Sequence, residues 1–420
     1  MAAISTEVQK LLTDVVACCV KEISTLQYAG QRRYVVEGGA MRANADVPAR
    51  LHRVIPMQRW LKDTSEYQLL VAGQVDTPLP HWFGTPFGGR AVDLPMLLAD
   101  VAQSVADSQG TETAEGAVQQ LADAIRRERV MVRIEARVNG HAALARGQSI
   151  AFSNGVNLRS LGDEQIAQEM DQDSSDSGMI HRAHQRLALW VEVEVPLRLE
   201  PWAEIPDEPA TEQRAKIARV IEALCAFKPA GAQVAFVEIG VAGPILRNVM
   251  PRSVEHHPWG NTFYIVEADE VSRLQIFVDD ILRDCRPELS LAKRRLYQSS
   301  LRPAHADAIV DAVIGVEALL NTENLPEVTM RVAMNYASLF DRSERAVRYA
   351  RIKALYRARS DIVHGRGAPR GADAGTVAQE ATALLRELIS RFWKDDALRG
   401  GVPKPMKLDV AYWEARYFAE

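Results

Sequence analysis

Leu355-Tyr-Arg-Ala-Arg-Ser-Asp-Ile-Val-His-Gly365 decides how the last third of the chain reads. Ile352, Leu355, Tyr356, Ile362 and Val363 recur at offsets of three and four, which predicts a helix over 344–364 with one apolar stripe. Arg359 falls on that stripe, so it faces a neighbouring helix or a second chain. A guanidinium in such a place is costly unless it has a partner or a ligand. His364 comes five residues later, about 140° around an ideal helix. The two side chains converge if the helix ends or distorts there, with Gly365 as its stop. Alternatively, two copies of the chain bring them together across a dimer axis. An imidazole beside a guanidinium suits proton transfer near neutral pH and phosphodiester chemistry.

Working upstream, Ile309, Val310, Val313, Ile314, Val316, Leu319 and Leu320 mark another apolar helix, and Glu317 interrupts its face. A carboxylate there wants a cation, and Arg359 is the candidate. The pair either sets helix register alone or leaves guanidinium donors free for a phosphate. Helical spacing also covers 271–286, 291–320, 326–340 and 376–393, with short connections, the pattern of an antiparallel bundle. An amphipathic aromatic tail, 408–418, is expected to pack back on it.

Strand signals lie before residue 270. Val130, Val132, Ile134, Ala136 and Val138 alternate with Met131, Arg133, Glu135 and Arg137, predicting a half-buried strand that turns at Asn139-Gly140. Further strands are expected over 149–159, 187–199, 233–241 and 262–266, and helices over 4–26, 94–108, 117–129 and 211–227. Prolines and glycines over 42–93 predict irregular structure with short strands. Residues 168–178, acidic and serine-rich, read as a mobile loop. The expected architecture is therefore α+β: a mixed α/β region with antiparallel strands over 1–270, then a helical bundle over 271–420.

Composition fits this reading. The 420 residues are 47% hydrophobic and 25% charged, as in ordinary globular proteins. No run approaches the ~18 apolar residues of a membrane span, and the first residues lack the pattern of a secretion signal. The four cysteines, Cys18, Cys19, Cys225 and Cys285, have no metal-ligand spacing and are expected to be reduced thiols in the cytoplasm. His181 and His184 lack a third ligand, and His256-His257 sits in a turn, so no metal is expected. Pro86-Phe-Gly-Gly-Arg90 matches no nucleotide-binding loop. No cofactor is implied. Residues 271–420 carry 24 Lys+Arg against 20 Asp+Glu, leaving 26 against 35 of the totals of 50 and 55 for residues 1–270. The basic excess includes Arg357 and Arg366 and the cluster Lys293-Arg294-Arg295; it is either a solvated surface or a site for an anionic polymer.

Tyr356-Arg-Ala-Arg-Ser-Asp-Ile-Val-His-Gly365 resembles the motif of the HEPN superfamily, and its Apea-like branch in particular: a tyrosine, then Arg-Ser-x-x-x-His-Gly, at the end of a bundle helix. Ile314-Gly-Val-Glu-Ala-Leu-Leu320 is similar to that branch's Leu-Glu-x-Leu-Leu segment, with Val316 in place of the usual leucine. The likeness covers about 271–395. It implies a HEPN-like bundle that works as a homodimer and cuts RNA without a metal. Arg359 would hold the scissile phosphate and His364 would move the proton. Glu317, Tyr356, Ser360 and Asp361 would support them, and Arg357, Arg366, Lys293, Arg294 and Arg295 would bind RNA. Some family members bind RNA, nucleotide or a partner protein without cutting. The branch also implies antiphage defence by abortive infection, with a phage-derived trigger or an antitoxin as a further partner; the lack of a long apolar run implies no membrane.

Overall fold

Ser5 starts the first helix, its hydroxyl accepting the Val8 N–H at 3.2 Å. That helix, α1 (Thr6–Glu22), buries Val8, Leu12, Val15, Val16 and Cys19, the stripe its spacing predicts. The computed structural model describes residues 4–23, 32–37, 40–48, 57, 59–72, 82–83, 92–107, 112–145, 148–162, 186–197, 208–229, 234–241, 263–284, 286–321, 328–366, 373–394 and 413. The chain forms two units: one of 1–149, 157–217 and 234–257, the other of 150–156, 218–233 and 258–420. The fold is α+β, with a mixed N-terminal part and a helical C-terminal part.

In the first unit, β1 (Arg32–Glu37) and β2 (Ala40–Pro48) form an antiparallel hairpin. α2 (Ser65–Ala72) follows, and Met57 and 59–62 are helical too, within a span expected to be irregular. Its prolines cluster on either side of these helical residues, so they bound the helices and do not break them. After β3 (Trp82–Phe83) and β4 (Val92–Asp93) come α3 (Leu94–Asp107) and α4 (Ala114–Arg127). α1 packs on α2, α3 and α4. Thr113 caps α4 by accepting the Gly116 N–H, and Glu128 leaves it in the left-handed region at φ 52°.

That turn feeds β5 (Arg129–Val138), the long strand the period of two predicts. After β6 (Gly140–Ala142), the expected strand over 149–159 is two pieces, β7 (Ser149–Ala151) and β8 (Asn157–Ser160). The Asn154-Gly155 turn divides them: Gly155 takes φ 85°, and Asn154 accepts the Val156 N–H through its side chain at 3.2 Å. β9 (Leu187–Pro196) ends on its proline, α5 (Glu208–Phe227) runs from the first unit into the second after residue 217, and β10 (Val234–Val241) belongs to the first again. The antiparallel sheet of this unit runs β10-β5-β9-β8.

β5 is not half-buried throughout. Glu135 and Arg137, expected on a solvated face, are 6% and 2% exposed. Glu135 is gripped from both sides, by Arg137 at 2.6 Å and by Arg159 of β8 at 2.9 Å. Burial disfavours its charge, but Arg137, Arg159 and Arg133 outweigh that and hold its carboxyl below the usual range. Alternation along a strand reports polarity, and a paired charge can be buried at a polar position.

The second unit holds β11 (Tyr264–Val266), α6 (Val271–Arg283), α7 (Pro287–Leu301), α8 (His305–Leu320), α9 (Val328–Ser338), α10 (Arg345–Val363) and α11 (Ala374–Lys394). The single helix expected over 291–320 is therefore two. Pro303 denies a helical amide and pushes Arg302 to an extended ψ of 122°, so the chain turns back there. α8 is the central helix, packed by α7, α9, α10 and α11. At Gly315 a Cβ would come within 2.5 Å of a Leu385 methyl and 3.2 Å of Arg295 Cβ, so this glycine lets three helices approach. Asp311, 3% exposed, binds Arg295 at 2.6 Å and Arg302 at 2.7 Å and ties the α7–α8 corner. Of the expected tail over 408–418, Trp413 alone is described, and it is buried; the rest lies outside the described residues. So do 168–178, His181, His184, His256, His257, 86–90 and Cys285.

Candidate functional site

α10 positions the motif. Ile352, Leu355, Tyr356 and Ala358 are buried, and α10 packs against α8 and α9 along that side. Arg359 shares this face and is half-buried; its Nε is fully covered and meets no hydrogen-bond acceptor. The Tyr356 hydroxyl is also buried, and Glu317 is the acceptor beside it. Burial first, then the charge and proximity of Glu317, push the Tyr356 phenol well above its usual range, and Arg359 opposes that shift. Tyr356 therefore lies among the charges of Glu317 and Arg359.

The expected Glu317–Arg359 ion pair is absent: among the described residues Arg359 makes no ion pair or hydrogen bond, and Glu317 is directed to Tyr356. The physical reason is the phenol itself, which stands one turn before Arg359 and meets the carboxylate first. One buried polar atom, the Arg359 Nε–H, is thus left without a protein partner, a cost of about 1–3 kcal/mol unless a ligand meets it.

His364 caps α10 rather than joining this cluster. The helix keeps α geometry to Val363, and His364 is exposed. Arg366 donates its backbone N–H to the Asp361 carbonyl at 2.8 Å and Gly365 to Ile362 at 3.0 Å, with Gly365 at φ 69°. These bonds are those of a Schellman motif with Gly365 in its left-handed position. Without a distortion, the five-residue step turns His364 about 140° away from Arg359. One chain therefore does not bring the two together.

Ser360 and Asp361 are half-buried, and Asp361 pairs loosely with Arg366 at 3.6 Å. Arg357 is exposed. The cluster expected to bind RNA on α7 is dismantled by packing. Lys293 is 4% exposed with its Nζ on the Ile281 carbonyl at 3.1 Å, and Arg295 is committed to Asp311; Arg294 is left exposed. The run of basic letters hid a helix whose 293 position points inward, beside buried Leu289, Ala292 and Leu296. Lys353, exposed on α10, lies outside the motif, so spacing alone does not single it out.

Among the described residues no group of three or more His, Cys, Asp or Glu side chains is placed to hold a metal ion, and no helix is long and apolar enough to cross a membrane. No protein-family model, curated protein or solved structure matches the chain. The HEPN likeness thus rests on its motif residues and on their place at the end of a bundle helix.

Proposed function

We propose that the chain is a metal-independent endoribonuclease of HEPN type whose cleavage site is completed by a second copy. The carrying observation is the buried, acceptor-less Nε of Arg359 on the motif helix. Donors in that state suit an oxyanion, and a phosphodiester supplies one. Because His364 faces away from Arg359 of its own chain, the imidazole that works with Arg359 comes from the other protomer of a homodimer. In this reading the ribose 2′-OH attacks the adjacent phosphorus, its proton passes to a base, and the P–O5′ bond breaks as the leaving oxygen is protonated. His364 carries one of these protons, and Arg359 stabilises the charge on the pentavalent phosphorus. The products are a 2′,3′-cyclic phosphate and a 5′-OH, and DNA, lacking the nucleophile, is spared. A cytoplasmic role in abortive infection, with the acidic 1–270 region answering a phage-derived trigger or an antitoxin, completes the proposal.

The exposed cap position of His364 favours a second reading, a silent module that binds RNA, nucleotide or a partner protein without cutting. RNA incubated with the full chain and a chelator, then analysed by mass spectrometry, separates the two. Cyclic-phosphate ends are expected, with Arg359→Ala and His364→Ala each lowering the rate by about 10²–10⁴. Mixing these two variants should restore part of the activity, since each mixed dimer holds one intact Arg–His pair. Binding without cyclic ends sinks the nuclease; restoration failing in verified mixed dimers sinks the shared site.

A further inference from the structure

Charge on α10 is sorted by direction. Arg351 donates to Glu380 at 2.8 Å, while Arg348 reaches Glu344 at 3.5 Å and Glu387 at 3.7 Å and stacks 4.1 Å over Phe340. These arginines are neutralised by carboxylates at the start of α10 and on α11. On the open side, Lys353, Arg357, His364 and Arg366 are all exposed. Arg357 makes no ion pair or hydrogen bond among the described residues, and Lys353 has only the Tyr349 ring, 5.4 Å away. Asp361 is the sole acidic residue from 353 to 366, and Arg366 partly cancels it.

Helix geometry puts Lys353, Arg357 and His364 within about 40° of one another around the axis and spreads them over roughly 16 Å of rise. They form a straight cationic ridge, and His364 stands at its end. A row of like charges left without carboxylates repels itself in the free protein and gains when a polyanion displaces its counterions.

Resting on the RNA reading above, we infer that this ridge is the track for the backbone of single-stranded RNA, with Lys353 and Arg357 holding consecutive phosphates upstream of the linkage at His364. A single strand fits a single ridge. It also suits the chemistry: in A-form duplex the 2′ oxygen lies off the line of the departing 5′ oxygen, whereas a free strand can swing into line.

The test measures fluorescence anisotropy of a labelled, uncleavable 2′-O-methyl oligonucleotide on the full chain across about 50–200 mM salt. Each phosphate contact contributes about 0.7 to the slope of log affinity against log salt for a single strand, so Lys353→Ala/Arg357→Ala should flatten it by about 1.4. Arg127→Ala, removing an exposed cation from α4, should leave the slope unchanged, and a duplex of equal length should bind more weakly than the strand. Both substituted side chains are exposed, and circular dichroism checks the fold. If the wild type binds and the double variant keeps its slope, the track is wrong while the RNA reading stands, and the ridge is then a solvated or protein-docking face. If the slope flattens but ordinary RNA is never cut, the track stands and the nuclease fails. If the wild type binds no RNA, both fall.

Discussion

Gly365 and Tyr356 show how single residues set the site. At φ 69°, Gly365 occupies the region that costs an L residue about 1–2 kcal/mol, so Gly365→Ala should lower stability by about 1 kcal/mol in denaturant unfolding. Asn should lose less. The same change loosens the cap that places His364, so cleavage should fall more than the small stability loss explains. Tyr356→Phe removes the hydroxyl that meets the Glu317 carboxylate, and unfolding should show a loss of about 0.5–1.5 kcal/mol. A drop in RNA cleavage larger than that loss explains then reports a ligand contact. The identity of Arg359 as an anomaly was legible from spacing alone. Its partner was not: Glu317 and Arg359 share compatible faces on two helices, but a phenol one turn away captures the carboxylate, and spacing cannot rank two claimants for one charge.

Between elements, the α7–α8 corner and the central helix carry the bundle. Asp311→Ala leaves Arg295 and Arg302 without their shared carboxylate; because both arginines reach solvent, the loss should be about 2 kcal/mol, below the ~3–5 of a fully buried pair. Gly315→Ala should cost about 1–3 kcal/mol by overpacking against Leu385 and Arg295, despite alanine's ~1 kcal/mol helix advantage, seen as a lower denaturant midpoint with unchanged m. Helix α10 was readable nearly to the residue because its apolar offsets and glycine stop agree. Apolar spacing continues on both sides of Arg302-Pro303 and hides the join, although the proline itself marks the break. Likewise Lys293 reads as surface in a basic run, and only the neighbouring helices decide that its stem is buried and its ammonium bound to a carbonyl.

Across the whole molecule, acid should act on the buried triad of the first unit. The carboxyl of Glu135 is held below its usual range, so its contribution is fully present above the ordinary carboxylate pKa near 4 and is lost as pH falls through the folded value. Thermal melts between about pH 6 and pH 2 should therefore show a steep acid loss, and Glu135→Gln should be less stable at neutral pH with a shallower acid slope. Equal slopes in the two proteins would mean that other carboxylates govern acid unfolding. The order of elements, a strand-bearing N-terminal part and a helical C-terminal part, was determined by the sequence alone, because periods of two and of three to four are local properties of the chain. So were the motif and the glycine that ends its helix. Tertiary structure alone decided that Glu135 and Arg137 are inside, that Lys293 is a core residue, and that Tyr356 rather than Arg359 meets Glu317. Burial and pairing depend on what another segment brings to the same place, and no local spacing records that.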